Sequence, residues 1–287
     1  MYSALLLSGG GWHGAVQKPV IESLQSDSVH HNLIFGVSVG SVNGAALACD
    51  VFNSVAVPLW ENLDDRHILD GIKGFLSPAI LRGKGLFSLC PLEKLISSKI
   101  KTGMLKTTFG AGHVIRETGE YKTSLFWPTS VRPRLSMTGL QQMNFTDAII
   151  ASAAVAGVME PVELGGSQTL CDGGHVHVLP RIPDEMLPTV SSIDAVFCKP
   201  ISHWKNLPTS KVDNVVDAAV WAIEMQMEST RLADYEWLLL VKARFPNIKI
   251  RVFAPLSVHG GMLDAKRSDI LARYKLGEYA ASHPITL

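Results

Sequence analysis

The residue of this sequence best suited to nucleophilic chemistry is Ser38, at the centre of a Gly-Val-Ser-Val-Gly pentapeptide. A serine at a sharp strand-to-helix turn has a strained backbone, and the flanking Gly36 and Gly40 relieve the crowding there. The apolar run 32–35 predicts a strand before it, and the small-residue run 41–48 predicts a helix after it. A helix that begins at the serine favours a negative charge developing beside it. The pattern therefore indicates a serine that attacks a carbonyl group.

A glycine-rich loop follows the first predicted strand, residues 3–8. The loop contains Gly9, Gly10, Gly11 and Gly14. Backbone N–H groups without side chains can approach a substrate carbonyl closely, so the first three glycines are expected to form an oxyanion hole. The loop also matches the dinucleotide pattern G-x-G-x-x-G, but that pattern needs an acidic residue at the end of the second strand. Here the second strand ends in the serine motif, which leaves a simple strand–helix turn as the other alternative.

Asp172 is the candidate base for the serine, in an Asp-Gly-Gly sequence with Gly173 and Gly174. Alone, such a tripeptide is usually a turn. A serine nucleophile needs a base, however, and an aspartate with an ordinary pKa of about 3.9 is a poor one. We therefore expect Asp172 to be partly desolvated and hydrogen-bonded directly to Ser38.

Four blocks of the sequence, in this order, resemble the patatin-like phospholipase family: residues 8–17, 36–43, 151–154 with Pro161, and 172–174. The resemblance covers residues 3 to about 180. It implies a Ser–Asp dyad without a catalytic histidine, in which Ser38 is the nucleophile, Asp172 the general base and the three glycines the oxyanion loop. The implied reaction is transfer of an acyl group from a lipid ester to Ser38, as in a phospholipase A, followed by hydrolysis of the acyl-enzyme.

Two residues depart from the family pattern. The family usually has Arg or Lys where this chain has His13, just before the last glycine of the loop. Because a basic side chain helps to position or neutralise the developing charge, the replacement predicts weaker activity at high pH. Pro19 stands where the family often has glycine, and it predicts a kink unless the first helix begins near Lys18.

A Ser-Asp-His triad is the alternative mechanism, typical of a carboxylesterase or thioesterase that acts on small soluble esters. His175 follows Asp172 by only three residues, whereas a triad histidine normally arrives on a separate loop. His177, His203 and His259 have no motif around them. A catalytically silent lipid-binding or scaffold protein of the same fold is the alternative of another class.

The order of the predicted elements favours an α/β fold, because strand, glycine turn and helix alternate twice at the start of the chain. We expect one domain over residues 1–287, with a mainly parallel central sheet flanked by helices, which in the resembling family is a three-layer sandwich. Residues 60–110, rich in Gly and Pro, are a candidate cap. Further predictions are strands at 112–116 and 134–138, a helix at 147–156 ended by Gly157, and a long helix at 211–244.

The composition limits the classes of partner. Lys plus Arg and Asp plus Glu number 26 each, without the basic excess of a nucleic-acid binder. The four cysteines are scattered, so neither a zinc site nor another metal or cofactor is expected, and they should be reduced core residues. The absence of a signal-peptide pattern and of an apolar span predicts a cytoplasmic protein. The basic amphipathic stretch 68–87 suits either peripheral membrane contact or a cap over the site.

Overall fold

The computed structural model describes residues 1–62, 85, 87–131, 143–165, 168–201, 215–263 and 266–287. The predicted strand at 134–138, the residue His203 and residues 63–84 of the candidate cap lie outside these ranges. The described part of residues 60–110 belongs to the main body: Phe87 pairs with Met159, and the last residues of the segment enter the central sheet.

One sheet of nine strands runs through the described residues in the order β5-β6-β3-β2-β1-β7-β8-β9, with β4 also paired to β3. The strands β3, β2, β1, β7 and β8 are parallel, and β4, β5, β6 and β9 pair antiparallel at the two sides. Their bounds are β1 Tyr2–Leu7, β2 Leu33–Val37, β3 Thr108–Ile115, β4 Glu120–Phe126, β5 Val162–Leu164, β6 Gln168–Asp172, β7 Val190–Val196, β8 Lys249–Phe253 and β9 Ile285–Thr286.

Helices cover both faces of this sheet, because successive side chains of the buried strands point in opposite directions. Leu5 and Leu7 of β1 belong to one core, and Leu6 belongs to the other. The first core contains side chains of α1, α2, α4 and α5, and the second contains Leu238 and Val241 of α6. The helices are α1 Gln17–Ser26, α2 Val39–Ala48, α3 Val57–Glu61, α4 Cys90–Lys99, α5 Phe145–Ala153, α6 Val215–Arg244 and α7 Arg267–Ser282. The predicted α/β architecture with a mainly parallel sheet flanked by helices is confirmed.

Strand β3 begins at Thr108, four residues before its predicted start. Gly110 and Gly112 interrupt the apolar pattern, which hid the first half of the strand. Both glycines are required by packing: a Cβ at Gly110 would lie 2.4 Å from Phe35 Cδ1, and one at Gly112 would lie 1.9 Å from Tyr121 Oη. The two glycines are visible in the sequence, but the aromatic rings that occupy the space beside them are not.

One helix prediction also needs correction, and the condition that was set for Pro19 is met. Helix α5 ends at Ala153, before Gly157, so that glycine does not terminate it. Helix α1 begins at Gln17, which places Pro19 in its first turn. A start this close to Lys18 is the case for which the sequence predicted no kink.

Candidate active site

Ser38 lies at the turn between β2 and α2, with the backbone angles φ 55° and ψ −129°. A non-glycine residue seldom adopts such a positive φ, and it does so at a cost of about 1–3 kcal/mol. The turn is tight enough to exclude side chains on both flanks. A Cβ at Gly36 would lie 2.3 Å from the Gly40 carbonyl oxygen, and one at Gly40 would lie 2.1 Å from the Leu7 carbonyl oxygen. The strained elbow that the pentapeptide predicted is therefore present.

Ser152 of α5 holds this elbow in place. The backbone N–H of Ser38 donates to Ser152 Oγ at 2.9 Å, and the Ser152 hydroxyl donates to the Gly112 carbonyl at 2.6 Å. Ser152 is fully buried. Ser152 thus has a polar role that no pattern in the sequence revealed, because its two partners, in the elbow and in β3, are far from it in the chain.

Asp172 ends β6 and is fully buried. Its Oδ1 accepts a hydrogen bond from the Gly174 N–H at 2.7 Å. Burial raises the pKa of Asp172 to about 6, while the Ser38 hydroxyl, the charge of His175 and the Gly174 N–H act in the opposite direction. Among the described residues, Oδ2 has no partner with regular hydrogen-bond geometry, although Ser38 faces the carboxyl closely enough to lower its pKa. The structure thus brings the predicted nucleophile and base together and desolvates Asp172, but the direct hydrogen bond expected between them lacks regular geometry.

The peptide groups of the glycine loop have a consistent orientation. The Gly9 N–H donates to the Val178 carbonyl at 2.8 Å, and the Gly10 carbonyl accepts from the His13 backbone N–H at 3.1 Å. In the described part of the chain, the N–H groups of Gly10 and Gly11 donate no hydrogen bond. Of the three expected oxyanion donors, Gly9 is therefore already engaged, because its N–H has a backbone acceptor. The N–H groups of Gly10 and Gly11 have no acceptor among the described residues.

Close packing explains why this loop consists of glycines. A Cβ at Gly9 would lie 3.1 Å from Ser38 Cβ, and a Cβ at Gly14 would lie 2.4 Å from Val39 Cγ2. Gly11 has φ +55° and lies against the backbone of Met262. A Cβ at Gly173 would likewise lie 2.6 Å from the Gly112 carbonyl oxygen. The glycines thus let the loop and the Asp172 turn approach their neighbours at backbone contact distance.

His13, the departure from the family's basic residue, is buried between two carbonyl groups. Its Nδ1 lies 3.1 Å from the Gly10 oxygen and its Nε2 lies 3.0 Å from the Gly260 oxygen. Burial, followed by the charges of Lys199 and Arg273, lowers the pKa of His13 well below its ordinary value. A neutral imidazole carries one N–H, so only one of these contacts can be a hydrogen bond at a time. His13 therefore does not supply the positive charge of an Arg or Lys.

The histidines of the alternative triad have other partners. The Ala156 N–H donates to His175 Nε2 at 2.9 Å, which occupies the lone pair of a neutral His175. His177 Nδ1 contacts Asp234 at 3.1 Å, in a separate cleft lined by Tyr121, Arg181 and Trp237. His259 Nε2 contacts Asp269 at 3.0 Å.

Ser38 opens into an apolar pocket of about 710 Å³, a volume that includes its opening to solvent. Its walls come from the glycine loop, the start of α2, α3, α4, the segment after α5 and the loop before α7: Gly11, Trp12, Val39, Val42, Leu59, Trp60, Leu89, Leu92, Val155, Met159, Met262 and Leu263. Such a lining suits a hydrocarbon chain whose reactive carbonyl lies at the serine.

Metal and thiol chemistry find no support within the described ranges. No group of three or more His, Cys, Asp or Glu side chains there could hold a metal ion. The four cysteines are free, and three of them are buried. Burial raises the pKa of the Cys171 thiol to about 11, which makes it a poor nucleophile. None of the helices in the described ranges is both long and apolar enough to cross a bilayer.

A family model described as patatin-like phospholipase matches residues 5–183, which contain the elbow, the glycine loop and Asp172. The chain belongs to the patatin-like phospholipase family. Membership in this family supports a lipid hydrolase activity. The chain matches no curated protein sequence.

Two solved structures of bacterial proteins are similar to this family member. VipD from Legionella pneumophila has 13% sequence identity and a TM-score of 0.48, over 100% of this chain and 68% of VipD. A chain of the ExoU–SpcU complex of the Pseudomonas aeruginosa type III secretion system has 12% identity and a TM-score of 0.32. That match covers 83% of this chain and 52% of the other, so this chain spans about half the length of that protein.

Proposed function

We propose that this protein is a lipid acyl hydrolase of the phospholipase A type, which cleaves esters through a Ser38–Asp172 dyad. The observation that carries the proposal is the desolvated carboxyl of Asp172, with a pKa raised to about 6, facing a serine at a strained elbow. An aspartate of ordinary pKa holds a proton too weakly to act as a base for a hydroxyl group. The raised pKa makes Asp172 a stronger base while leaving it ionised at neutral pH.

The reaction begins when Ser38 Oγ attacks the ester carbonyl carbon and gives its proton to Asp172. The carbonyl π electrons move to the oxygen, and the N–H groups of Gly10 and Gly11 stabilise the oxyanion together with the N-terminus of α2. The tetrahedral intermediate collapses, the bond to the alkoxy oxygen breaks, and the leaving alcohol takes the proton from Asp172. Ser38 now carries the acyl group as an ester.

Deacylation repeats these steps with water as the nucleophile. Asp172 takes a proton from water, the new oxygen–carbon bond forms, and the carboxylic acid leaves as Ser38 Oγ recovers its proton. The apolar pocket that Ser38 opens into is suited to hold the acyl chain through both halves of the reaction. No step requires a histidine, which agrees with the occupied Nε2 of His175.

A p-nitrophenyl ester assay on single variants tests this proposal. Ser38→Ala and Asp172→Asn should each abolish hydrolysis, whereas His175→Ala should keep most of it. Asp194→Asn is the matched control, because Asp194 is a buried aspartate bound to His31 and Arg251 rather than to the site. Activity that survives Ser38→Ala or Asp172→Asn would exclude the dyad, and activity lost in His175→Ala would favour the triad.

Two further measurements test the class of function and the substrate. A fluorophosphonate probe should label Ser38 in the wild-type protein and not in Ser38→Ala. A folded protein that the probe does not label would instead be a binding or scaffold protein. Mass spectrometry of a mixed phospholipid extract after incubation should show free fatty acids and lysophospholipids, and peripheral contact with the lipid surface is part of the same proposal.

A further inference from the structure

A chain of buried hydrogen bonds runs from Trp60, in the wall of the apolar pocket at Ser38 (the acyl pocket), to Ser8, the residue that precedes the glycine loop. Trp60 Nε1 donates to Asn43 Oδ1 at 3.0 Å, and Asn43 Nδ2 donates to Gln17 Oε1 at 2.9 Å. Gln17 Nε2 then donates to the Ser8 carbonyl at 2.8 Å. None of the three side chains is more than 4% exposed. Bulk water therefore cannot replace a link that is lost.

These hydrogen bonds can form with only one order of donors and acceptors. The indole N–H of Trp60 can only donate, and the carbonyl of Ser8 can only accept. The amides of Asn43 and Gln17 must therefore both turn their oxygen toward Trp60 and their nitrogen toward Ser8. A flip of either amide would place two acceptors or two donors against each other in a buried site, which is unfavourable.

The last link holds one peptide plane of the glycine loop. Gln17 binds the C=O of the Ser8–Gly9 peptide, and the Val178 carbonyl binds its N–H at 2.8 Å. The described peptides include no cis bond, so these two groups point in opposite directions and the plane is held at both ends. The next N–H along the chain is that of Gly10, one of the two free donors.

We propose that Trp60, Asn43 and Gln17 are positioning residues that fix the oxyanion donors of Gly10 and Gly11. Their role in catalysis rests on the proposed function, whereas their positioning of the glycine loop does not. Trp60 also lines the acyl pocket and meets the ring of Trp12 edge-on, with 6.1 Å between ring centroids. A bound acyl chain thus packs against the side chain at which the hydrogen-bond chain starts.

The variant Gln17→Glu distinguishes a positioning role of Gln17 from a merely structural one. Position 17 must accept from Asn43 and donate to the Ser8 carbonyl, and its Nε2 also lies 3.2 Å from Cys198 Sγ, a thiol whose pKa burial raises to about 12. A protonated carboxyl group can do both, but an ionised one can only accept. Burial raises the pKa of the new carboxyl, so the variant is expected to resemble the wild type near pH 6 and to lose kcat as the pH rises toward 9. We expect a fall of about tenfold with KM unchanged, less than the roughly 10²-fold effect of losing an oxyanion donor.

Two other variants complete the series. Gln25→Glu, the same change on the exposed face of α1, should leave the kcat profile unchanged. Trp60→Phe removes the first donor, together with part of the ring that lines the pocket and meets Trp12, and should lower kcat by a few-fold at every pH. A ratio of Gln17→Glu to wild-type kcat that stays constant from pH 6 to 9 would overturn the proposal.

A readout without turnover separates this inference from the proposed function. In Gln17→Glu, the ¹H–¹⁵N resonances of Gly10 and Gly11 should titrate with the new carboxyl, and in Gln25→Glu they should follow the wild type. Resonances that stay at their wild-type positions in both Gln17→Glu and Trp60→Phe would overturn the hydrogen-bond chain as a positioning device. If the wild type hydrolyses no ester, the proposed function is wrong, and the resonances still decide the inference.

Discussion

Asp172→Asn should make the protein more stable while it removes the proposed base. Burial raises the pKa of Asp172 from 3.8 to about 6 in the folded state. An acid with a raised folded-state pKa destabilises the folded protein wherever it is ionised in both states. A pKa raised from 3.8 to about 6 corresponds to about 3 kcal/mol at pH 8, because a tenfold change in proton affinity is worth about 1.4 kcal/mol. Asparagine has nearly the same shape, and its Oδ1 can still accept from the Gly174 N–H.

The predicted gain depends on pH with a definite sign. Above pH 6 the carboxylate is ionised in the folded and unfolded chains, and the variant should have its full advantage of about 3 kcal/mol. The advantage should decrease as the pH falls through 6 and vanish below the unfolded-state pKa of 3.8. Urea unfolding followed by tryptophan fluorescence at pH 8, 6, 5 and 4 measures this. In thermal unfolding the same gain corresponds to roughly 5–10 °C.

Asp194→Asn is the control with the opposite sign. Although burial raises the pKa of Asp194, hydrogen bonds from His31 and Arg251 lower it below its ordinary value. This aspartate therefore stabilises the protein above its unfolded-state pKa, and its replacement should cause a loss of stability that disappears as the pH falls through the folded-state value. Should Asp172→Asn show the same stability difference at every pH, or a smaller advantage at pH 8 than at pH 5, the desolvation of Asp172 would be refuted.

Three further outcomes are expected. The wild-type kcat should rise through a single ionisation near pH 6, because Asp172 must be unprotonated to act as a base, and an activity that stays level from pH 8 down to 4.5 would contradict this assignment. Ser152→Ala leaves the buried Ser38 N–H without its acceptor and should cost about 1–3 kcal/mol in urea unfolding and lower kcat, whereas the exposed Ser97→Ala should change stability by less than about 0.5 kcal/mol. Gly40→Ala should prevent folding, since its Cβ would lie 2.1 Å from the Leu7 oxygen, while Gly103→Ala, with no heavy atom within 4 Å, should fold normally as judged by circular dichroism.

Much of the fold could be predicted because it follows from local patterns. Apolar runs that end in glycine, followed by helical periodicity, predicted β1, β2 and the helices after them. The elbow at Ser38 could also be predicted, since its strain and its flanking glycines are properties of five consecutive residues. The first half of β3 could not be predicted, because Gly110 and Gly112 leave space for aromatic rings that belong to other strands.

The sequence by itself determined which chemical groups the site contains: a serine at an elbow, side-chain-free amides, and an aspartate among glycines. Only the tertiary structure decided how these groups are used. Asp172 has a raised pKa because the packing of the whole domain removes water from it. The Gly9 N–H is engaged because it donates to the Val178 carbonyl, and His175 Nε2 is occupied because it accepts from the Ala156 N–H. Solvation and hydrogen-bond partners depend on residues far apart in the chain, so they are decided when the sheet and its helices come together.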